Sequence, residues 1–270
     1  MGMSQRTGID RAGHRGYPPG MAFIQCSFFS RVLQLSTSMY VVLPQREDPR
    51  DTTPYRTLFL LHGLSDDHTI WTRRTSIERY ADARGIAVVM PGVGRSFYVD
   101  MACGPAFGRF AGEELPAAAR ALFPLSTRSE DTFIAGLSMG GYGAFRIALA
   151  NPGSFAAAGS FSGALDVAAM RYDDDPVRRA EWERIFGDLS KIEGSQNDLF
   201  ALARRMSGSK HSGLRLYQCC GTEDFLYQAN VKFRDFARSI GLDLTYEEEP
   251  GIHEWGYWDR KVRDFLAWLP

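Results

Sequence analysis

The sequence predicts a single α/β domain in which a mostly parallel sheet carries helices on both faces. Continuously apolar runs at 57–61 and 86–90 have the composition of strands buried on both sides. They alternate with amphipathic stretches, such as 75–84, that have the periodicity of surface helices. Repeated strand-then-helix units call for parallel strands, and 270 residues with 44% apolar content suffice for one large core. We therefore expect one domain over residues 21–270.

Residues 1–20 are predicted to be a disordered extension of this domain. They are rich in Arg, Gly and Pro and contain almost nothing to bury. Folded sequence is expected to begin at Met21. There, two β-rich runs at 23–30 and 39–43 flank a polar turn and predict an antiparallel pair at the start of the sheet.

The remaining elements alternate regularly except in one charged, helical stretch at 166–212, which we expect to be an insertion that forms a lid or a pocket wall. Gly85 and Gly241 are expected to end the helices that precede them. The predicted elements after 86–90 are helices at 113–122, 142–150, 178–186, 196–206, 225–240 and 255–268, and strands at 132–135, 156–161, 214–220 and 242–247.

The segment 131–151 contains a Gly-x-Ser-x-Gly motif in a strand-turn-helix context. An apolar run precedes Gly136-Leu137-Ser138-Met139-Gly140, and a stretch of helical composition follows it. A serine at the tip of such a turn adopts a strained backbone conformation, so the residues two before and two after it must lack side chains that would collide. Gly136 and Gly140 meet that requirement. The alternative is a Gly-rich turn that only lets a helix pack closely on a sheet.

A nucleophilic serine needs a base, and the base needs an acid that fixes its tautomer. Of the five histidines three precede Ser138, and His211 stands before a strand. His253 instead follows the strand at 242–247 and leads into the last helix, as the base of such a site does. We therefore predict His253 as the base.

The acid is predicted from the same rule, that it lies on a loop after a strand. Asp224 follows the strand at 214–220 and is favoured, although an Asp before Phe225 could equally begin a helix. Asp166, after the strand at 156–161, ranks second, and Glu223 is a weaker candidate.

The tetrahedral intermediate also needs N–H donors for its oxyanion. The N–H of Met139, directly after the serine, is one candidate, and the loop after the strand at 57–61 should supply the other. In this loop Gly63 lets the backbone approach the substrate, and the N–H of Leu64 is the expected donor. His62 is expected to support the loop rather than to react.

Several long strings resemble one known group, the esterase family of α/β-hydrolases, and within it bacterial tributyrin or short-chain acyl esterases. The resemblance runs from Met21 to about Trp268, and it implies Ser138 as nucleophile, Asp224 as acid, His253 as base and Leu64 with Met139 as oxyanion donors. The strings that carry it are M-A-F-I-Q-C-S-F-F-S-R-V-L-Q-L-S-T-S-M, L-L-H-G-L-S-D-D-H, S-F-Y-V-D followed by E-E-L-P, F-I-A-G-L-S-M-G-G-Y-G-A and F-S-G-A-L-D.

S-formylglutathione hydrolases and mycolyltransferases are similar at a greater distance. The former share F-Y-V-D and E-E-L-P, which here contain Tyr98, Asp100 and Glu114. Their S-G-L-T-C loop is replaced here by H-G-L-S-D at 62–66.

Aromatic side chains are predicted on loops near the mouth of the site, where they could line an acyl or alcohol pocket, although most are expected to serve core or rim packing. The candidates are Trp71, Phe97, Tyr98 and Trp255, with Phe107, Phe110 and Trp258 beside them.

Charge and cysteine content limit the partners. The net charge of −1 provides no field that would gather nucleic acid or an anionic membrane. Cys26, Cys103, Cys219 and Cys220 lack metal-ligand spacing and are expected to be buried free thiols. We expect no metal and no cofactor, a small-molecule ester as the partner, and a cytoplasmic location, because no signal peptide or membrane-length apolar run is present. The sequence is also compatible with a homo-oligomer.

The predicted function is a serine carboxylesterase for short-chain acyl esters that works through an acyl-enzyme. An S-formylglutathione hydrolase or an esterase for acetylated sugars, an acyltransferase with the same triad, and a non-catalytic interaction protein of this fold are the alternatives.

Overall fold

The computed structural model describes residues 20–46, 48, 50–207 and 213–270. Within these ranges eight strands form one sheet in the order β1-β2-β4-β3-β5-β6-β7-β8. The strands are β1 Met21–Ser30, β2 Leu35–Pro44, β3 Arg56–Leu61, β4 Ile86–Pro91, β5 Thr132–Leu137, β6 Ala157–Phe161, β7 Arg215–Gly221 and β8 Leu244–Glu249.

The first two strands run antiparallel, and the rest of the sheet is parallel. β1 pairs with β2 and β2 with β4 in antiparallel fashion, as predicted for the start of the sheet. From β4 through β3, β5, β6 and β7 to β8 every pairing is parallel. The carboxyl ends of these six strands therefore lie along one edge, where loops that follow β5, β7 and β8 can meet.

Helices cover both faces of the sheet, which confirms the predicted fold class. One core lies under α4, α5, α7 and α8 and includes Ile134, while the other lies under α1, α2 and α9 and includes Phe133. The helices are α1 Ile70–Arg74, α2 Ile77–Asp82, α3 Phe107–Arg109, α4 Leu115–Leu122, α5 Met139–Ala150, α6 Pro176–Phe186, α7 Leu199–Ser207, α8 Tyr227–Ser239 and α9 Trp255–Trp268.

The predicted helix at 75–84 is shorter than expected, because α2 covers only Ile77–Asp82. A separate short helix that was not predicted, α1, precedes it, and Thr75 and Ser76 lie between the two. Thr75 has extended backbone angles, and its hydroxyl donates to the Trp71 carbonyl at 2.6 Å and accepts from the Ile77 N–H at 3.2 Å. A threonine side chain that bonds the backbone in this way competes with helical hydrogen bonds. The amphipathic pattern did not reveal this competition.

The predicted helix at 113–122 begins earlier than expected and contains an irregular turn. It starts with α3, passes through a π-helical turn at Phe110–Glu114 and continues as α4. Glu114, at the end of that turn, accepts hydrogen bonds from the Arg31 N–H at 2.6 Å and from the Ser30 hydroxyl. The E-E-L-P string therefore secures the β1–β2 turn against the helix.

The insertion after β6 is docked on α5 over the part that the structure describes. The Tyr142 hydroxyl donates to the Asn197 carbonyl at 2.8 Å, and Arg146 donates to the Asn197 side chain at 3.0 Å. Trp182 of α6 packs edge-on against Phe97 with ring centroids 5.4 Å apart. Helices at 176–186 and 199–207 agree closely with the two predicted there.

Three remaining expectations concern the ends and the surface of the chain. Residues 1–19, most of the predicted extension, lie outside the described residues, as does His211. Cys219 and Cys220 are buried free thiols as expected, but Cys26 is only partly buried and Cys103 is exposed. In the described parts of the chain, no helix has the length and apolar character needed to cross a bilayer.

We predict that Gly136→Ala strongly destabilises the protein. A Cβ at this position would lie 2.6 Å from the Gly140 carbonyl group and 2.8 Å from the Leu61 Cβ, so backbone would have to move. Overpacking of this kind costs about 1–3 kcal/mol. Urea unfolding should show this loss for Gly136→Ala. Gly112→Ala is the control, because its added Cβ would meet Ile147 at an ordinary 3.5 Å; equal stability of the two variants would contradict the prediction.

Candidate active site

Ser138 occupies the sharp turn between β5 and α5. Its backbone angles are φ 53° and ψ −115°, a strained conformation that costs a non-glycine residue about 1–3 kcal/mol. The helix that begins at Met139 comes so close to β3 that a Cβ on Gly140 would lie 2.5 Å from the Leu61 carbonyl oxygen. The predicted need for small residues on both sides of Ser138 therefore has a steric basis in the neighbouring strand.

The structure brings Ser138, His253 and Asp224 into one hydrogen-bonded chain. His253 Nε2 lies 3.1 Å from Ser138 Oγ, and His253 Nδ1 lies 2.8 Å from Asp224 Oδ2. The three residues follow β5, β8 and β7, so each stands at the carboxyl edge of the sheet. This geometry suits a nucleophile, a base and an orienting acid.

The surroundings of Asp224 keep its carboxyl group ionised. Burial by itself would raise the pKa of this carboxyl. Hydrogen bonds from His253, the Leu226 N–H and Ser162 outweigh burial and hold the pKa below its usual value. An ionised carboxylate only accepts hydrogen bonds, so Nδ1 of His253 carries the proton. Nε2 is then free to accept the proton of the Ser138 hydroxyl.

Two aromatic rings contact the imidazole of His253. Trp258 approaches it edge-on with ring centroids 4.8 Å apart, and the ring of Phe225 lies 4.5 Å from it. Trp258 also donates its Nε1–H to the Ser162 hydroxyl at 3.2 Å. Trp258 was expected near the mouth, whereas Phe225 and Ser162 had no predicted role. Their sequence positions could have indicated a role: Phe225 directly follows Asp224, and Ser162 lies inside the string F-S-G-A-L-D.

The competing acids have other partners. Asp166 forms an ion pair with Lys232 at 2.5 Å. Glu223 accepts from the Gly251 N–H at 2.5 Å, and thereby ties the loop after β7 to the loop that carries His253. The geometry therefore favours Asp224 over both alternatives.

The loop after β3 lies against the serine turn. A Cβ on Gly63 would be 2.6 Å from Leu137 Cδ1 and 3.8 Å from Ser138 Cβ. The following residue, Leu64, is therefore close enough for its N–H to be considered as an oxyanion donor together with that of Met139. These two roles stay predictions.

His62 is a buried strut of this loop. Its Nε2 accepts from the Val93 N–H at 3.1 Å, its Nδ1–H donates to the Gly63 carbonyl at 2.7 Å, and its own carbonyl accepts from the Tyr98 hydroxyl at 3.1 Å. Burial lowers the pKa of the imidazole to about 4, although the Gly63 hydrogen bond and Asp67 oppose the shift. His62 is therefore neutral near pH 7.

The expected aromatic pocket requires a correction. Trp71 and Tyr98 are 0% exposed and Phe97 is 3% exposed, so these side chains belong to the core and do not line an open pocket. Trp71 donates its Nε1–H to the Leu61 carbonyl at 3.1 Å and thus holds the end of β3. Trp255 is half-buried and packs edge-on against Trp71 with centroids 5.3 Å apart. Phe110 is buried, and Phe107 packs beside it.

Among the residues that the structure describes, no group of three or more His, Cys, Asp or Glu side chains is arranged to hold a metal ion.

Comparison with known proteins gives consistent matches. A family model described as "Putative esterase" matches residues 30–269. A curated "Acetyl esterase" of Caldicellulosiruptor saccharolyticus is 33% identical in an alignment of 261 residues that covers 92% of this chain and 98% of the relative.

Solved structures agree with this result. FphF, a fluorophosphonate-binding serine hydrolase of Staphylococcus aureus, is 35% identical with a TM-score of 0.86, over 93% of this chain and 98% of the other. An S-formylglutathione hydrolase, FrmB, from the same organism is 35% identical with a TM-score of 0.82, over 92% and 98%.

The buried imidazole of His62 predicts a loss of stability in acid. Its pKa is about 4 in the folded protein, against 6.5 for an ordinary histidine. Between these values the unfolded chain binds a proton that the folded chain does not, so stability falls as the pH drops from 6.5 towards 4, by about 1.4 kcal/mol per pH unit.

His62→Gln is the test variant, because glutamine does not titrate. Urea unfolding at pH 7 and 4.5 should show wild type losing about 2–3 kcal/mol more than the variant over this interval. Parallel stability curves for the two proteins would contradict a neutral, buried His62.

Proposed function

The chain belongs to the esterase family described as "Putative esterase" and is a serine hydrolase of the carboxylesterase type; we propose that it cleaves short-chain acyl esters with Ser138, His253 and Asp224. The observation that carries the proposal is the continuous chain of contacts from Ser138 Oγ to His253 Nε2 at 3.1 Å and from Nδ1 to Asp224 at 2.8 Å. A serine needs these partners, in this order, to become nucleophilic at neutral pH.

In the first half of the reaction His253 Nε2 takes the proton of the Ser138 hydroxyl as Oγ attacks the ester carbonyl. The carbonyl oxygen becomes an oxyanion, which the N–H groups of Leu64 and Met139 stabilise. The Asp224 carboxylate stabilises the imidazolium that forms. His253 then gives its proton to the leaving alcohol, and an acyl group remains on Ser138.

In the second half water replaces the alcohol. His253 accepts a proton from the water as it attacks the acyl-enzyme, and returns this proton to Ser138 Oγ when the acid leaves. All of the steps use side chains and backbone groups of this chain, so the mechanism requires no cofactor.

Two observations support a small acyl group. The curated relative with 33% identity is named as an acetyl esterase. In addition, the core behind the serine turn is filled by Met139, Tyr142 and Phe97, with the rings of the last two 5.8 Å apart. An acyl group of a few carbons that remains at the surface fits this packing better than a long chain.

S-formylglutathione hydrolysis is the second candidate function, because FrmB matches with 35% identity and a TM-score of 0.82. The loop H-G-L-S-D at 62–66 differs from the S-G-L-T-C loop of such enzymes. A panel of acetyl, butyryl and longer acyl esters, acetylated sugars and S-formylglutathione ranks these substrates by kcat/KM.

We predict that Ser138→Ala abolishes turnover of every ester in this panel while the thermal midpoint stays within a few degrees. The hydroxyl is the proposed nucleophile, so a fluorophosphonate should label wild type but not the variant. The measurements are fluorophosphonate labelling and ester turnover, made on wild type and variant whose folding has been checked by circular dichroism. A wild-type protein that neither reacts with the probe nor cleaves any ester would favour the non-catalytic alternative.

We predict that Asp224→Asn lowers kcat by about 10⁴ with the fold intact, because the amide no longer stabilises the working tautomer and the imidazolium of His253. Asp166→Asn is the matched control, since Asp166 pairs with Lys232 at 2.5 Å, and it should cost at most about tenfold through altered loop geometry. Steady-state kinetics on one acetyl ester compare the two. If Asp166→Asn proves the more damaging change, Asp224 is not the acid.

A further inference from the structure

An apolar groove begins beside the proposed active site. It has a volume of about 470 Å³ and lies between the 3₁₀ helix at Val167–Tyr172 and the start of α8. Its apolar wall is formed by Ala164, Ala169, Met170, Leu226 and Ala229.

Backbone contacts join this groove directly to the catalytic residues. The Ala164 N–H donates to the Ser138 carbonyl at 3.1 Å, and the Leu226 N–H donates to Asp224 Oδ1 at 2.8 Å. Two residues that line the groove therefore form hydrogen bonds directly with the proposed nucleophile and the proposed acid.

Two large aromatic side chains are exposed here, one in the lining of the groove and one at the residue before its lining residue Leu226. Phe225 is 76% exposed although its ring lies 4.5 Å from that of His253, and Tyr172, which lines the groove, is 71% exposed. Exposed aromatic surface of this kind is characteristic of binding sites. Burial in the core does not account for either ring.

The charged groups that line the groove are all paired. Lys232 and Asp166 pair with each other at 2.5 Å, and Asp173 pairs with Arg178 at 2.8 Å. The remaining lining residues, Gln228 among them, are uncharged. The ammonium of Lys232 also lies 5.1 Å from the ring centroid of Phe200. A paired cation of this kind does not select an anionic ligand, so the apolar wall sets the character of the groove.

The direction of proton transfer assigns this groove to one part of the substrate. His253 must lie within hydrogen-bond distance of the leaving oxygen in order to protonate it. The alcohol part of the ester therefore lies on the His253 side of Ser138. Phe225, which contacts His253, is on the same side.

We propose that this groove binds the alcohol part of the ester, and that Phe225 with the apolar wall favours alcohols that carry an aromatic or bulky apolar group. The inference rests on the proposed esterase function and adds the substrate class on the leaving-group side. Such an ester gains affinity from burial of the alcohol, while the acyl group and the chemistry at Ser138 are unchanged.

The test compares ethyl acetate with 2-phenylethyl acetate, which share an acyl group and have alcohols of similar acidity. Wild type should prefer the larger ester by about tenfold in kcat/KM, mainly through KM, as expected for burial of a small apolar group. Ala169→Trp fills the groove, and Phe225→Ala removes the exposed ring between His253 and the lining residue Leu226. Each should abolish most of this preference.

Ala180→Trp is the matched control, because Ala180 is exposed on α6 of the same insertion and does not line the groove; it should keep the wild-type preference. The inference is wrong if wild type shows no preference or if the two groove variants keep it. It is equally wrong if Ala169→Trp changes only the mass in sedimentation, which would make the groove an interface between copies of the chain.

The same data separate this inference from the proposed function. Loss of ethyl acetate turnover in Ser138→Ala supports the serine esterase whatever the preference for alcohols. Turnover that survives in Ser138→Ala overturns the esterase proposal itself.

Discussion

The close approach between the Ser138 turn and the end of β3 is the constraint on which the rest of the site depends. Gly140 and Gly136 have no room for a Cβ because the Leu61 backbone and side chain already occupy that space. The same contact brings the loop at 62–64 against the serine. One packing requirement therefore fixes the positions of both the proposed nucleophile, Ser138, and the candidate oxyanion donors. Trp71, which donates to the Leu61 carbonyl, holds the strand end in place.

Backbone strain is concentrated around this contact. Among the described residues with side chains, Ser138, Ser162, Phe97 and Tyr98 all have φ values between 49° and 54°. Each conformation is unfavourable, so it persists only where packing and hydrogen bonds determine it. The Phe97 N–H contacts Met139 Sδ at 3.3 Å, and the Tyr98 hydroxyl donates to the His62 carbonyl. The strained segment at 97–98 thus supports both sides of the serine turn.

Order along the chain was enough to predict the sheet and to select the three residues that the structure joins by hydrogen bonds. Parallel strands place their carboxyl ends on one edge, so Ser138, Asp224 and His253 could be selected by the strands that they follow. The interruption at Thr75 and the π turn before Leu115 could not be found in this way. Both depend on a side chain that bonds a particular backbone group, Thr75 on Trp71 and Glu114 on Arg31, and periodicity carries no information on such bonds.

Burial of aromatic residues on loops was the least predictable property, because a loop residue can point into the core or out of it. Tyr98 was expected at an open pocket but is fully buried, while Phe225, expected only to begin a helix, is 76% exposed. The difference follows from partners: Tyr98 fills the space left by Gly143, where a Cβ would lie 2.5 Å from its ring. The Phe225 ring instead lies 4.5 Å from the imidazole of His253 and is otherwise largely exposed to solvent. An aromatic ring in that position contacts the imidazole of His253 and still offers a free apolar face, which is the physical basis of the proposal that this side of the site binds apolar alcohols.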